Sequence, residues 1–223
     1  MSEAKRDLKG DFHIHTYHSL DSNLTPEIII KRAKEAGLDI IGVLDHGSVD
    51  GGKETEDLAK KIAKDLVVFV GEEIKTKEGE IIAFNIDKTI PQFMDLIETC
   101  KIVKKLGGFI VLPHPFDSLR MGLGSSVYKI VKYADAVEGF NARSMFNRFN
   151  KKAVGFSEEK GLPLLAGSDA HFEEEIGKGI TLVNSEPDKE SVMKAIKSGK
   201  TKISGEKTGA KPHIKTFFQK RFR

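Results

Sequence analysis

Short runs of β-branched residues alternate with amphipathic helical segments along the whole chain, and this alternation constrains the fold more than any other feature. Strands are predicted at residues 8–13, 38–44, 66–70, 109–112, 136–140, 162–166 and 180–183. Helices are predicted at residues 54–64, 92–106, 127–133, 145–160 and 189–197, and from Thr25, an N-cap followed by Pro26, to Gly37. Alternation of this kind is typical of a parallel α/β sheet or barrel.

One segment breaks the alternation. Residues 73–86 contain two apolar runs around Lys77-Glu78-Gly79, which predicts a hairpin or an extra strand in place of a helix. About seven strand-then-helix steps are predicted in total, close to the eight of a complete barrel. The pattern therefore leaves two architectures open, a slightly incomplete barrel and an open doubly wound sheet.

Composition excludes several classes of protein. The chain has 223 residues, of which 39% are hydrophobic and 31% charged, enough for the core of one large α/β domain. The 36 basic and 33 acidic residues nearly balance, which argues against a protein that chiefly coats nucleic acid. The single cysteine, Cys100, excludes an internal disulfide and thiolate-based zinc sites. With no signal-like or membrane-spanning apolar run in the sequence, we expect a cytoplasmic protein.

Residues able to bind metals or move protons lie at, or just after, the carboxyl ends of different predicted strands. These residues are His13, His46, Glu73, His114, Asn141 and Asp169. In a barrel the carboxyl ends of all strands converge on one face, whereas an open sheet would bring far fewer of them together. Their positions therefore favour the barrel.

Histidine spacing indicates a metal site. His13 and His15 are two residues apart, so in an extended strand both imidazoles point to the same side. Any one strand-end histidine is explained equally well by an ordinary hydrogen bond, but most of the seven histidines lie at such ends. They are His13, His15, His46, His114 and His171. Imidazole and carboxylate ligands without sulfur suit zinc, manganese or iron, and one carboxylate can bridge two ions.

A series of short motifs resembles one known family. The motifs are Asp11–Thr16, Ser19 with Asp21, Leu24–Glu27, Ala36–Leu38, Leu44–His46, Gly71–Ile74, Leu112–Pro115, Glu138–Asn141 and Gly167–His171. Their order and spacing, from about residue 9 to residue 180, are similar to those of the PHP (polymerase and histidinol phosphatase) family. The resemblance implies a distorted (β/α)7 barrel, related to the TIM barrel, with two or three divalent metal ions and phosphoesterase activity.

The resemblance also assigns the metal ligands. It makes His13, His15, Glu73 and Asp169 the ligands of one ion, with Glu73 bridging to a second ion that also binds His114. A third ion would bind Asp21, His46 and His171. We choose Glu73 over Glu72 because it precedes the Ile74 of the family's Gly-x-Glu-Ile pattern. The family's further histidine aligns near Ile82 here, so both two and three ions are consistent with the sequence.

The chemistry expected of such a site is hydrolysis by a water shared between two ions about 3.5–4 Å apart. The predicted catalytic residues are Asp45, His46, Asp169 and His171, with Asp45 orienting the His46 imidazole. Asn141 and Arg143 are predicted to hold a phosphate, and His18 to touch the substrate. An exposed arginine at a helix start is an equally good interpretation of Arg143, and a solvated loop histidine is the simpler one for His18.

The chain is predicted to divide into a barrel at residues 1–205 and a basic, aromatic tail at residues 206–223. Basic residues of the tail are Lys207, Lys211, Lys215, Lys220, Arg221 and Arg223, with Phe217, Phe218 and Phe222 between them. This pattern suits RNA or an anionic membrane surface, or a terminal helix that packs on the barrel, which we favour. His213 lies in the tail and is not predicted to be a ligand.

Three functions are compatible with the family. The first is a metal-dependent phosphoesterase whose partner is a phosphorylated small molecule or nucleotide. The second is an exonuclease acting on RNA or DNA ends, as PHP-like domains associated with DNA polymerases are. The third is a non-catalytic barrel subunit of an RNA enzyme, similar to the RNase P barrel subunit. A scaffold needs no metal ligands. The third function is therefore disfavoured by the retention of His13, His15, Asp21, His46, Glu73, His114, Asp169 and His171.

Overall fold

The computed structural model describes residues 5–209 together with Pro212, Lys215, Thr216 and Gln219. Nine strands of the described residues form one sheet. They are β1 (Arg6–Ile14), β2 (Ile40–His46), β3 (Val67–Lys75), β4 (Glu80–Phe84), β5 (Phe109–Leu112), β6 (Ala136–Asn141), β7 (Leu164–Gly167), β8 (Gly179–Ser185) and β9 (Thr201–Gly205). The helices are α1 (Pro26–Glu35), α2 (Asp50–Ile62), α3 (Leu96–Lys105), α4 (Val127–Ile130), α5 (Asn147–Lys160) and α6 (Lys189–Lys197).

The sheet curls into a nearly closed barrel, which confirms the predicted distorted α/β barrel. Its strand order is β7-β6-β5-β4-β3-β2-β1-β8-β9. The barrel closes between the end of β1 and the loop after β7, where the His15 N–H donates to the Ala170 carbonyl at 2.9 Å. Ile14 and Ala170 form a parallel bridge at the same place. The carboxyl ends of β1 and β7 are thereby held side by side.

Strand directions differ from a regular parallel barrel at two places. Strands β1 to β3 are parallel to one another, as are β5 to β7, but β4 is antiparallel to both of its neighbours. The β3–β4 hairpin turns at Lys77-Glu78-Gly79, as predicted. Strand β8 is antiparallel to β1, and β9, which the sequence pattern did not indicate, is antiparallel to β8.

Helix starts follow their capping residues. Thr25 accepts a hydrogen bond from the Ile28 N–H at the start of α1, with Pro26 in the first turn. Helix α3 begins at Leu96, later than predicted, because the Asp95 carboxylate accepts from the N–H groups of Ile97 and Glu98 at 2.9 and 3.1 Å.

The apolar core places the polar ends of the strands at one face. Phe12, Phe69 and Phe84, from three strands, pack together with ring centroids 5.9–6.4 Å apart. Ile82 belongs to the same buried cluster. The register between β1 and β2 shifts between Asp11 and Ile14, and such an irregularity changes which way successive side chains point. Phe12 lies in the apolar cluster, whereas the next residue, His13, lies among polar groups.

Part of the predicted tail lies within the described residues. Lys207 donates from its ammonium to the Met145 carbonyl at 2.7 Å, and Lys215 pairs with Glu174. The other basic residues of the tail (Lys211, Lys220, Arg221 and Arg223), its phenylalanines (Phe217, Phe218 and Phe222) and His213 lie outside the described residues. Within the described part of the chain, no helix has the length and apolar character needed to cross a membrane.

Candidate metal centre

The structure brings the predicted metal ligands together at the carboxyl ends of the strands. These ligands come from strands β1, β2 and β3 and from the segments that follow β1, β5 and β7. They are His13, His15, Asp21, His46, Glu73, His114, Asp169 and His171. A cavity of about 260 Å³ opens beside them, and Asp21, His46 and His171 form part of its wall. All of these side chains are buried except His46, whose side chain is 19% exposed.

The metal-ligating nitrogen and oxygen atoms fall into groups, which we call donor groups. The atoms of one donor group have the spacing of a tetrahedral metal site. His15 Nε2 lies 3.1 Å from His13 Nε2, 3.4 Å from Glu73 Oε2 and 3.5 Å from Asp169 Oδ1. His13 Nε2 lies 3.6 Å from the same glutamate oxygen and 3.7 Å from the same aspartate oxygen. Ligands bound at 2.0–2.1 Å around a tetrahedral ion stand about 3.4 Å apart. Asp169 Oδ1 is buried and accepts no hydrogen bond from the described residues. These residues therefore fit a divalent cation.

Glu73 faces two donor groups with its two oxygens. Oε2 lies 3.4 Å from His15 Nε2 and 3.4 Å from His46 Nδ1, whereas Oε1 lies 3.2 Å from His114 Nε2. This is the orientation that a bridging carboxylate requires.

Another donor group lies on the cavity wall. Asp21 Oδ2 is 3.3 Å from His171 Nε2 and 3.8 Å from His46 Nε2. Burial lowers the pKa of both His46 and His171 to about 3. Their imidazoles are therefore neutral near pH 7, which is the form that binds a metal.

Hydrogen bonds behind the ligands fix their orientation. His13 Nδ1 contacts Glu138 Oε1 at 2.9 Å, His15 Nδ1 contacts the Ser19 hydroxyl at 3.2 Å, and His171 Nδ1 donates to the Asp169 carbonyl at 2.8 Å. With each Nδ1 engaged, the Nε2 lone pair is directed to the donor groups. Sequence reasoning assigned no role to Glu138, although it opens the Glu138–Asn141 motif.

Asp45 lies behind His15 and not beside the His46 ring. Its carboxylate accepts from the Thr16 N–H at 2.8 Å, the Thr16 hydroxyl at 2.7 Å and the Ser19 hydroxyl at 2.6 Å. The same Ser19 oxygen contacts His15 Nδ1 and accepts from the His46 N–H at 3.1 Å. Asp45 therefore positions His15 through Ser19, and its link to His46 is to the backbone.

Two of the ligand residues have a left-handed backbone. The φ angles of His114 and Asp169 are +28° and +58°, values that non-glycine residues rarely adopt. Such conformations concentrate at functional sites, where the surrounding structure holds them in place. They turn the chain sharply as it leaves β5 and β7. No pattern in the sequence signals this.

The predicted substrate residues occupy different environments. Asn141 is buried and donates to Glu138 Oε2 at 3.0 Å and to Asp169 Oδ2 at 2.8 Å, so it supports the donor groups from behind. Arg143 is also buried, which excludes the exposed-arginine interpretation. Its guanidinium donates to Glu175 Oε1 at 2.9 Å and to the Thr216 hydroxyl at 2.6 Å.

The surroundings of His18 are close to those of a solvated loop histidine, the simpler of its two interpretations. Its imidazole is 25% exposed, and Nε2 lies 3.3 Å from the carboxylate of Glu54. The ring packs against Tyr17, with centroids 4.6 Å apart. His18 is not among the residues that line the cavity beside the donor groups.

A cationic residue that sequence reasoning missed stands at the cavity. Arg120, in the loop after β5, reaches Asp169 Oδ2 at 2.5 Å and donates to Asn141 Oδ1 at 3.1 Å. Burial raises the pKa of Asp169, but Arg120 and His13 outweigh it and hold that pKa well below its usual range. Lys75 lines the same cavity. Arg120 carries no sequence signal, because it lies in a loop outside the motifs that resemble the family.

Two further acidic residues lie close to the site. Burial raises the pKa of Glu72 to about 7, and its carboxylate accepts from the Ile90 N–H at 2.9 Å and from Gln92 Nε2 at 2.8 Å. It therefore has a structural environment separate from the donor groups. Glu80, at the start of β4, is buried with Oε2 3.9 Å from His114 Nε2. Burial and the neighbouring Glu73 charge raise the pKa of Glu80 to about 8.

Comparisons with known proteins agree with this fold. A family model described as PHP-associated matches residues 147–201. The uncharacterized protein MJ1587 of Methanocaldococcus jannaschii is 35% identical over 145 residues, which are 60% of this chain and 82% of that protein. A 5'-3' exoribonuclease of Haemophilus influenzae is 33% identical over 101 residues, 44% of this chain and 36% of that protein.

A similar solved structure is that of a two-domain protein from Bacteroides vulgatus containing a predicted PHP-like metal-dependent phosphoesterase. Its fold matches with a TM-score of 0.76 at 20% identity, over 98% of this chain and 71% of that one. The shared barrel, the family model and the relatives lead to one conclusion: the chain belongs to the PHP (polymerase and histidinol phosphatase) domain family.

Proposed function

We propose that this protein is a metal-dependent phosphoesterase that hydrolyses a phosphomonoester or phosphodiester of a small metabolite or nucleotide. The observation that carries the proposal is the orientation of Glu73, whose two oxygens face separate imidazole groups at 3.2–3.6 Å. A bridging carboxylate between neighbouring divalent ions is the arrangement used by many enzymes that cleave phosphate esters.

The residues present fit two or three divalent ions, with manganese, zinc and iron as the candidates. His13, His15, Glu73 and Asp169 would hold one ion, Glu73 and His114 would hold part of a second, and Asp21, His46 and His171 would hold a third. When bound, the ions supply a water of lowered pKa and positive charge at the phosphoryl oxygens. The buried Asp169 Oδ1, which accepts no hydrogen bond from the described residues, supports this assignment.

The chain's own contribution to phosphate binding comes from the cavity wall. Arg120 and Lys75 are cations beside the donor groups, and an arginine can pair with two phosphate oxygens at once. In the proposed complex, Arg120 holds the phosphoryl group against the site while Asn141 keeps Asp169 in place. Arg143, which is bound to Glu175 and Thr216, shapes the wall beside His171. Asp45, acting through Ser19, is a positioning residue for His15.

An exonuclease acting on RNA or DNA ends is the second candidate. The exoribonuclease relative favours it, although that match includes only 36% of the relative's length. The two candidates share their metal chemistry and differ in the substrate that enters the cavity. A non-catalytic scaffold has less support, because a buried cluster of imidazoles and carboxylates is costly to maintain without a ligand.

Metal-dependent turnover tests the proposal. The protein is stripped of metal, reloaded with Mn²⁺, Zn²⁺ or Fe²⁺, and assayed with phosphomonoesters, nucleoside bisphosphates and 5'-phosphorylated RNA. We expect hydrolysis of at least one substrate by the reloaded protein and none by the stripped protein. Asp169→Asn should abolish turnover while the far-UV circular dichroism stays native. If no metal restores hydrolysis of any substrate while RNA still binds tightly, the scaffold interpretation is correct.

The same set of substrates also distinguishes the phosphoesterase from the exonuclease. A phosphoesterase for small molecules should release phosphate from mononucleotides or bisphosphates at least as fast as from RNA ends. An exonuclease should release mononucleotides stepwise from RNA or DNA and leave free mononucleotides intact.

A further inference from the structure

Glu80 is a buried carboxylate without a hydrogen-bond donor among the described residues. It is 5% exposed and lines the cavity together with His46 and His171. Its nearest ionic partner in the described structure is His114 Nε2, 3.9 Å from Oε2. A buried carboxylate without close partners is costly, so a ligand that provides positive charge is expected at this position.

A second carboxylate nearby increases that cost. Ligand atoms of His46, Glu73 and Glu80 all lie within 4.8 Å of one another. Two carboxylates this close repel each other in a buried site unless a cation lies between them. Arg120 and Lys75 on the same cavity wall reduce the repulsion, but the closest contact of the Arg120 guanidinium is with Asp169.

Strand register explains why Glu80 reaches the site and Ile82 does not. In the β3–β4 hairpin Glu73 lies opposite Ile82, and Lys75 lies opposite Glu80. Side chains two residues apart on a strand share a face, so Glu80 and Ile82 point the same way. Ile82 packs in the apolar cluster with Phe69 and Phe84, whereas Glu80 lies nearer the cavity. The metal-ligating side chain that is missing at Ile82 is thus available two residues earlier, at Glu80.

We propose that Glu80 is a ligand of the second divalent ion, together with Glu73 and His114. This inference rests on the proposed metal-dependent function, but metal binding tests it without reference to catalysis. A set of two carboxylates and one imidazole is richer in oxygen than the group built on His13 and His15. Oxygen ligands suit manganese, so the second position should prefer Mn²⁺ more strongly than the first.

Counting bound Mn²⁺ in Glu80→Gln tests the proposal. The stripped protein is titrated with Mn²⁺, and the free ion is measured by its electron paramagnetic resonance signal. We expect Glu80→Gln to bind one ion fewer than the wild type, or to bind its weakest ion at least about tenfold less tightly. The matched control is Glu78→Gln in the same hairpin, where the carboxylate accepts from the Leu96 N–H at 3.1 Å and belongs to no donor group. It should bind Mn²⁺ like the wild type.

Thermal stability of the metal-free proteins provides a second readout. Glutamine matches glutamate in size and carries no charge that Glu73 could repel, so metal-free Glu80→Gln should melt at the wild-type temperature or higher. Saturating Mn²⁺ should raise its melting temperature less than that of the wild type.

Three results would overturn the inference: equal Mn²⁺ number and affinity in Glu80→Gln and wild type, a lower melting temperature of the metal-free variant, or no Mn²⁺ binding by the wild type. Loss of one ion in Glu80→Gln, combined with no phosphoester hydrolysis by the loaded wild type, would leave the inference standing and refute only the proposed function.

Discussion

Replacing Glu138 with glutamine should weaken metal binding without changing the size of any side chain. The Glu138 carboxylate has three neighbours: His13 Nδ1 at 2.9 Å, the His114 N–H at 2.7 Å and the Asn141 amide at 3.0 Å. The last two both donate to Oε2, so the carbonyl oxygen of a glutamine would occupy that position. The glutamine NH₂ group would then face His13 Nδ1.

The consequence is a change of tautomer at His13. An NH₂ group can only donate, so Nδ1 must become the acceptor and the ring proton must move to Nε2. Nε2 is the atom that lies 3.1–3.7 Å from His15, Glu73 and Asp169, and a protonated nitrogen cannot bind a metal. Loss of such an orienting partner costs about 10–100-fold in metal affinity. That range corresponds to about 1.4–2.8 kcal/mol of binding free energy.

Isothermal titration of the stripped protein with Zn²⁺ or Mn²⁺ measures the effect. Glu138→Gln should bind its tightest ion about 10–100-fold more weakly than the wild type. Glu158→Gln, at an exposed position of helix α5, is the matched control and should bind normally. Unchanged affinity in Glu138→Gln, with native circular dichroism, would refute the tautomer argument.

Three further predictions concern the surroundings of the site. A Cβ at Gly167 would stand 2.3 Å from the His13 Cβ and 2.9 Å from Glu138 Oε1, so Gly167→Ala should lower the unfolding free energy by about 1–3 kcal/mol in urea titration; unchanged stability would contradict this close packing. Arg120→Gln should raise the KM for the phosphoester about tenfold while Mn²⁺ binding stays within about threefold of wild type, because one charge-assisted contact to phosphate is lost; an unchanged KM would remove Arg120 from substrate binding. Cys100 is fully buried and burial raises its thiol pKa to about 12, so a thiol-reactive disulfide should modify it only after denaturation; rapid modification of the native protein would show that the helix α3 region opens.

Much of the site could be predicted because strand ends are visible in sequence. Each apolar run that stops at a histidine or carboxylate, such as residues 40–46 ending in His46, places that side chain at one face of a barrel. The β3–β4 hairpin was predictable for a similar reason, since Gly79 lies in the turn between two apolar runs. At these strand ends and in this turn, the local sequence pattern predicts where the residue lies in the folded structure.

The remaining parts depend on contacts that no local pattern encodes. Arg120 reaches Asp169 across the barrel face from a loop of irregular structure. Glu138 looks like one charged residue in a short strand, and only its three buried hydrogen bonds reveal its role. The contact expected between Asp45 and the His46 ring failed to appear because neighbours in sequence at a strand end point to opposite sides of the sheet.

Anomalous X-ray diffraction from crystals of the Mn²⁺-loaded protein would locate the bound ions directly. We expect at least two manganese peaks, one within bonding distance of each oxygen of Glu73. His13, His15 and Asp169 should surround the first, and His114 should lie beside the second. Glu80 should coordinate the second peak. A loaded, correctly folded protein with no manganese at Glu73, or with manganese bound only elsewhere, would show that these residues do not form a metal centre.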